Sequence, residues 1–229
     1  MRILLASKSP ARLATLVSAG VTPIVRVSAV DEPAVLERLR ASSPTPPTPP
    51  DEVLALAAAK RDAVVASLLA LPSPIDEDGA DSLLVVGCDS MLEIGGRMLG
   101  KPHTPEVARE RIREMRGTSA TLWTGHAVAL VRPGAAYAPG PALARAASTR
   151  VRFGDITDAE IDAYVESGEP LHVAGSFTID GLGGPFIAGV DGDHHSVVGI
   201  SLPLLRSLAA ELGVFWPDLW DHRRGMDRH

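Results

Sequence analysis

The hydrophobic pattern opens with a short apolar run at residues 2–6, followed by Ser7-Lys8-Ser9-Pro10 and then by apolar positions at helical spacing through residue 17. This pattern predicts strand, turn, helix. Ser9 can cap the helix, Pro10 suits a first turn where no N–H is needed, and Gly20 suits the C-terminal stop. A second strand is expected over 24–30, leading into Asp31-Glu32-Pro33. Residues 41–50 hold five prolines, which remove donors and fix φ, so a stiff exposed loop is expected there, ahead of an Ala-rich helix over 53–69. A proline- and acid-rich segment, 72–81, bridges to the apolar run 83–86, which ends in Gly87-Cys88-Asp89-Ser90. An apolar strand with a polar tip suits a buried strand that delivers a functional group at its end.

Beyond this point Gly95-Gly96 reads as a turn, 106–115 as a charged helix and 123–131 as a strand. A loosely specified loop over 133–141 precedes a strand over 146–153, and a helix over 158–165 is opened by Thr157 and closed by Gly168. Residues 175–187 are glycine-rich and irregular, a helix is expected over 204–212, and the polar tail 222–229 is expected to fray. No internal repeat is evident.

Composition narrows the picture. With 229 residues and 45% hydrophobic content the chain can bury one substantial core, so a single domain over 1–229 is expected, its core at most shared between two lobes. Aromatic residues make up 4%, so the interior is built from Ala, Val, Leu and Ile, which suits a layered strand-and-helix fold. A net charge of −6 argues against binding nucleic acid polymers or an anionic membrane, and any phosphate site must be a local cluster of Lys and Arg. The one cysteine, Cys88, cannot form an intramolecular disulfide, which points to a reducing compartment. The apolar run at 3–6 is too short for a signal-peptide core, and the longest later one, 64–71, falls far below the ~20 residues of a membrane span. A cytoplasmic protein is expected.

Three constellations carry candidate chemistry. A strand-to-helix turn at residues 7–12 offers unsatisfied N–H groups at the positive end of a helix dipole, with the Ser7 and Ser9 hydroxyls, Lys8 and Arg12 beside it, a setting suited to phosphate oxygens. The plainer alternative is a capped helix with solvated basic side chains. Asp31-Glu32 after one strand and Asp89 at the tip of another could together hold a divalent ion, as phosphoryl transfer commonly requires, although nothing in the spacing forces them to meet. Lys60 lies among apolar neighbours in its helix, and Lys101 is framed by Gly100 and Pro102; either could reach a polyphosphate as a point charge or simply be solvated. Three other features read as structural. Asp191-Gly192-Asp193-His194-His195 lacks the later Glu of a calcium loop and reads as a turn before a strand, with its adjacent histidines pointing apart. Gly181-Leu182-Gly183-Gly184 lacks the context of a dinucleotide site, and Cys88 has no local base.

Taken in register, Leu5-Ala6-Ser7-x-Ser9-Pro10-x-Arg12, Asp31-Glu32, Ala59-Lys60, Gly87-x-Asp89-Ser90, Gly100-Lys101-Pro102, Glu169-Pro170 through Ala174-Gly175, Ile179-x-Gly181-x-Gly183 and Val197-x-Gly199-x-x-Leu202-Pro203 resemble the Maf-like nucleoside triphosphate pyrophosphatases. The resemblance implies a Maf/ITPase-like α/β fold, a mixed β-sheet flanked by helices in two lobes with a central cleft. It implies hydrolysis of a nucleoside triphosphate to monophosphate and pyrophosphate with a divalent cation, Mg or Mn, with non-standard nucleotides as further candidate substrates. By the same resemblance Asp89, Lys60 and Glu32 would be catalytic, with Glu32 and Asp89 taking the metal and the water and Asp89 as candidate general base. Ser7, Arg12 and Lys101 would hold phosphates, and Asp180 would join the substrate-binding residues. Departures stand at Ala11, Val173 and Asp180, where many relatives have arginine, lysine and glutamine; Ala11 and Asp180 lie in motifs associated with base selection. Residues 41–51 and 72–81 look like loop insertions relative to a compact member. The alternative function is a catalytically weak nucleotide-binding regulator of cell division. A homodimer is a further expectation, with Trp216 and Trp220 either at its contact or packed on their own chain.

Overall fold

The computed structural model describes residues 1–71, 82–133 and 136–224. Its strands are β1 (Arg2–Leu5), β2 (Ile24–Val25), β3 (Leu83–Ile94), β4 (Arg97–Leu99), β5 (Ser119–Arg132), β6 (Ala138–Phe153) and β7 (Ile187–Asp191). They form one mixed sheet in the order β2-β1-β3-β5-β6-β7, with β4 paired to β3. The α-helices are α1 (Pro10–Ser18), α2 (Glu32–Ser42), α3 (Pro49–Leu69), α4 (Pro105–Met115), α5 (Asp158–Glu166), α6 (His194–Val198), α7 (Leu202–Glu211) and α8 (Asp221–Arg224). The fold is thus α/β, a mixed sheet flanked by helices. The chain divides into two compact units. The first takes the described residues of Met1–Asp89, Gly125–Ala146 and Leu202–His229, the second Ser90–Thr124 and Ala147–Ser201.

In the first unit β1 runs parallel to both neighbours, pairing Leu4 with Ile24 of β2 and Leu5 with Val86 of β3. Ile3, Leu4 and Leu5 are at most 1% exposed, a burial of about 1.5–3 kcal/mol per side chain, which holds β1 in its register. From β1 the chain passes to β2 on one side and then to β3 on the other, so β1 and β3 flank a topological switch point. In open α/β sheets ligands bind at such points, at the carboxyl ends of the strands. The turn into α1 forms as the sequence predicts: Ser9 caps it by accepting from the Arg12 N–H, Pro10 is its first residue, and Gly20 follows it at φ +79°.

Helix α3 lies against β3 and β5 because two glycines leave room for it. A Cβ on Gly87 would stand 2.3 Å from the Ala57 carbonyl oxygen, and one on Gly125 would stand 2.2 Å from that of Val53, one helical turn earlier. Gly87→Ala is therefore expected to destabilise the protein by about 1–3 kcal/mol, since backbone rather than a flexible side chain must give way. Thermal denaturation checks this, and an unchanged melting temperature would mean that α3 is not held this close.

The second unit packs its own apolar cluster, with Leu92 of β3, Ile112 and Met115 of α4, Val151 and Phe153 of β6, and Ile161 of α5 among its buried members.

Several expectations are corrected. The prolines of 41–50 do not exclude regular structure: Ala41 and Ser42 end α2, and Pro49 and Pro50 open α3, where missing N–H groups cost nothing. Asp51 completes that start, its carboxylate accepting from the Thr48 N–H at 2.8 Å and hydroxyl at 2.5 Å. The second strand is only Ile24–Val25, and Asp31 caps α2 by accepting from the Ala34 N–H, so Asp31 and Glu32 open a helix rather than end a strand. Strand β6 begins at Ala138, inside the expected 133–141 loop. The tail is not frayed through 224. Asp221 opens α8 and is fastened by the Thr22 N–H and, at 2.7 Å, the Thr22 hydroxyl, while Trp220 packs against Gly20 of its own chain. The 72–81 insertion and residues 225–229 lie outside the described residues. No described helix is long and apolar enough to cross a membrane.

Candidate active site

At the carboxyl end of β1 the Ala6 N–H still bonds to the Val86 carbonyl at 2.8 Å, and continuing the register that pairs Leu5 with Val86 brings Ser7 level with Cys88, the residue before Asp89. Ser7 is 8% exposed, and its hydroxyl oxygen accepts from the Ser9 N–H at 3.2 Å and from the Arg12 guanidinium at 3.1 Å. With both lone pairs engaged, the remaining capacity of that hydroxyl is to donate, which is what a phosphate oxygen requires.

Asp89 does not stand at a strand tip. Strand β3 continues to Ile94, so Asp89 is mid-strand, just past the stretch paired with β1. The unbroken apolar run ends at Val86, but the strand stays buried through Asp89 and pairs with β4 from Leu92. Asp89 is 8% exposed, and Lys60 reaches it from α3 with Nζ 2.5 Å from its Oδ1. The close approach at Gly87 produces this contact, because the Arg61 N–H, next in the chain to Lys60, lies 2.8 Å from where a Gly87 Cβ would be.

The same ammonium is 2.8 Å from Oε1 of Glu32, the first residue of α2. Helix α2 is tied to α3 by Arg40, whose guanidinium donates to the buried Glu52 at 2.9 Å. Glu32, Lys60 and Asp89 thus form one acid–base–acid cluster within the first unit, although they are widely separated in sequence. Burial raises the Asp89 pKa above its ordinary value; Lys60 and Arg12 oppose that rise, and Glu32 adds to it. A carboxylate that holds a proton more tightly than a solvated Asp suits proton acceptance near neutral pH. The neighbouring Cys88 is fully buried, and burial pushes its thiol up to about 11, so it stays protonated and inert.

Glu32 and Asp89 also fit a divalent cation. They are hard oxygen donors that already converge on one cation, the Lys60 ammonium, and two carboxylates are what Mg-type sites commonly draw from protein, the rest coming from phosphate and water.

Lys101 and Asp180 belong to the second unit, and both are exposed. Asp180 rides on a turn secured by a residue whose role no local pattern signals. The Glu169 carboxylate accepts from the Thr178 hydroxyl at 2.5 Å, from the Leu182 N–H at 3.1 Å and from the Gly183 N–H at 3.2 Å. The Tyr164 hydroxyl completes the clasp, accepting from the Thr178 N–H at 3.0 Å. Gly183 is needed, since a Cβ there would stand 2.7 Å from the Thr178 carbonyl oxygen, and one at Gly181 would stand 2.5 Å from Glu169 Oε2 and displace that carboxylate. Burial raises the Glu169 pKa, but these hydrogen bonds outweigh it and hold the carboxyl below its ordinary value. A folded pKa below the unfolded one gives stability that is present above the unfolded pKa and lost as pH falls through the folded one. The melting temperature of Glu169→Gln is therefore expected to lie below wild type at pH 7 and to converge with it in acid. An equal deficit at every pH would show that the charge is not what holds the turn.

Among the described residues Asp193, His194 and His195 bring one ligand atom each within 4.8 Å of the others. The segment is not a turn before a strand. It follows β7 and opens α6, with the histidine rings 4.2 Å apart rather than pointing away from each other. Asp193 Oδ1 accepts from the His195 N–H at 3.1 Å and meets His195 Nδ1 at 3.0 Å, so the carboxylate is engaged as a helix cap.

The chain matches the model of the Maf-like protein family over residues 2–212. It is similar to the nucleoside triphosphate pyrophosphatase of Saccharopolyspora erythraea, 53% identical over 221 residues that cover 96% of this chain and 97% of the relative. The nucleoside triphosphate pyrophosphatase of Streptomyces coelicolor is 49% identical over 219 residues, 96% of this chain and 94% of the relative. That of Nocardia farcinica is 49% identical over 220 residues, 96% and 97%. On a family match that spans nearly its whole length, this chain belongs to the Maf-like protein family.

Proposed function

We propose that this chain is a nucleoside triphosphate pyrophosphatase that hydrolyses the α–β phosphoanhydride, giving a nucleoside monophosphate and pyrophosphate. The name its relatives carry supports the reaction class. The observation that carries the assignment of residues is the Lys60 ammonium held between Glu32 and Asp89 at the switch point of the sheet. Water attacks the α phosphorus, Asp89 accepts its proton, the bond to the bridging oxygen breaks, and pyrophosphate leaves. Lys60 opposes the rise that burial gives the Asp89 pKa and offsets negative charge that grows in the transition state. The Ser7 hydroxyl donates to a phosphate oxygen, Arg12 supplies a second positive group, and Lys101 holds the polyphosphate as a point charge. A Mg or Mn ion held by Glu32 and Asp89 would neutralise phosphate charge. Asp180 contributes to base selection and, being acceptor-only when ionised, favours a base edge that presents N–H donors. Non-standard nucleotides belong to the proposed substrate range. A cytoplasmic setting accords with a single cysteine that is buried and protonated.

Hydrolysis in heavy-oxygen water tests the bond assignment. Label in the monophosphate and none in the pyrophosphate is expected; label in the pyrophosphate would place the attack on the β phosphorus and overturn it.

A further inference from the structure

Lys101 is exposed, but its backbone is anchored. The Gly100 carbonyl accepts a 2.8 Å hydrogen bond from Nη1 of Arg111 in α4 and a 3.2 Å bond from the Gly175 N–H, which suits the two lone pairs of a carbonyl oxygen. Gly175 is itself immobilised: it has φ +73°, and a Cβ there would lie 2.7 Å from Cδ2 of Leu92, a fully buried side chain. On the other side Pro102 is buried, and His103 is held at φ +65°. Lys101 therefore projects from a segment pinned before and after it. Arg111 is also placed at a cost, since burial, with the Arg97 guanidinium adding to it, lowers its pKa, yet the guanidinium is directed at a neutral carbonyl.

We propose that Arg111 is a positioning residue for Lys101: by holding the Gly100 carbonyl it fixes the direction from which the Lys101 ammonium meets the substrate's phosphates. This rests on the reading of Lys101 as a phosphate-holding residue. A lysine carries four flexible bonds, and a fixed backbone leaves only those to be ordered when substrate binds. Arg111 makes no claim on the substrate itself, and its effect travels through Lys101.

The test is a double-mutant cycle on the full chain, with steady-state pyrophosphate release as the readout. Arg111→Met keeps the aliphatic stem and removes the donor. It is expected to lower kcat/KM by about tenfold, mostly through KM, as displacement of a positioned group does. Arg111→Lys, which retains a donor, is expected to recover most of that loss. In a Lys101→Ala background, Arg111→Met is expected to change kcat/KM by less than about twofold. If the two losses multiply, Arg111 acts independently of Lys101 and the proposal fails. It fails alone if Lys101→Ala impairs the enzyme and Arg111→Met does not. If Lys101→Ala leaves kcat/KM unchanged, both this proposal and the phosphate role of Lys101 fall.

Discussion

Asp89→Asn is expected to lower pyrophosphate release by about 10²–10⁴-fold, the range over which a positioned general base acts. The substitution keeps shape but removes the carboxylate's charge, and with it the capacity to take a proton and the ion pair with Lys60, while Ser7, Arg12 and Lys101 remain to hold phosphate, so nucleotide binding should persist. Stability should not suffer. Burial raises the Asp89 pKa, so its ionised form at neutral pH is disfavoured by the fold, and the neutral amide removes that cost. In chelator at pH 7 the melting temperature of the variant is expected to equal or exceed that of wild type. A variant that lost activity only because it unfolded would show the reverse.

Lys60→Ala is expected to cost about 10²–10³-fold in turnover, comparable to removing one preorganised electrostatic stabiliser. The effect on the fold differs in kind from that of Asp89→Asn. Lys60 is the cation between two carboxylates, and its side chain is 13% exposed, so its removal takes away the positive charge that both share. Without Lys60 the Asp89 pKa rises further, because Lys60 opposes the rise in wild type. The stability deficit of the variant should therefore be greatest where Asp89 is ionised and should shrink as the pH falls and it takes up a proton. Thermal denaturation in chelator across pH checks this; a deficit that grows on acidification would contradict the cluster as described.

How much of this was legible in the sequence depends on whether the signal is local. The turn into α1 could be read because Ser9, Pro10 and Gly20 each act within a few residues of where they stand. The start of α3 departs from the loop expected of a proline-rich stretch, because Thr48 before the prolines and Asp51 after them turn Pro49 and Pro50 into a helix start. Helix α2 was missed because it buries little beyond Val35, so no apolar stripe marks it. The cluster itself could not be derived from spacing. Lys60 and Asp89 are 29 residues apart, and their meeting depends on the approach of α3 to β3 at Gly87, a contact between backbones that leaves no hydrophobic pattern. The family resemblance named Glu32, Lys60 and Asp89; the structure supplies the physical reason that they lie together. Glu169 lies in the Glu169-Pro170 motif of the resemblance, but nothing in the sequence signals that its carboxylate gathers the 178–183 turn.

The most direct measurement is single-turnover pyrophosphate release, with Mg or Mn and with chelator, for wild type and Asp89→Asn at matched nucleotide occupancy. Metal-dependent release by wild type, reduced by two or more orders of magnitude in the folded, nucleotide-bound variant, is the expected result. Release at the wild-type rate from Asp89→Asn would contradict the general-base assignment, and no release from either protein would contradict the enzyme.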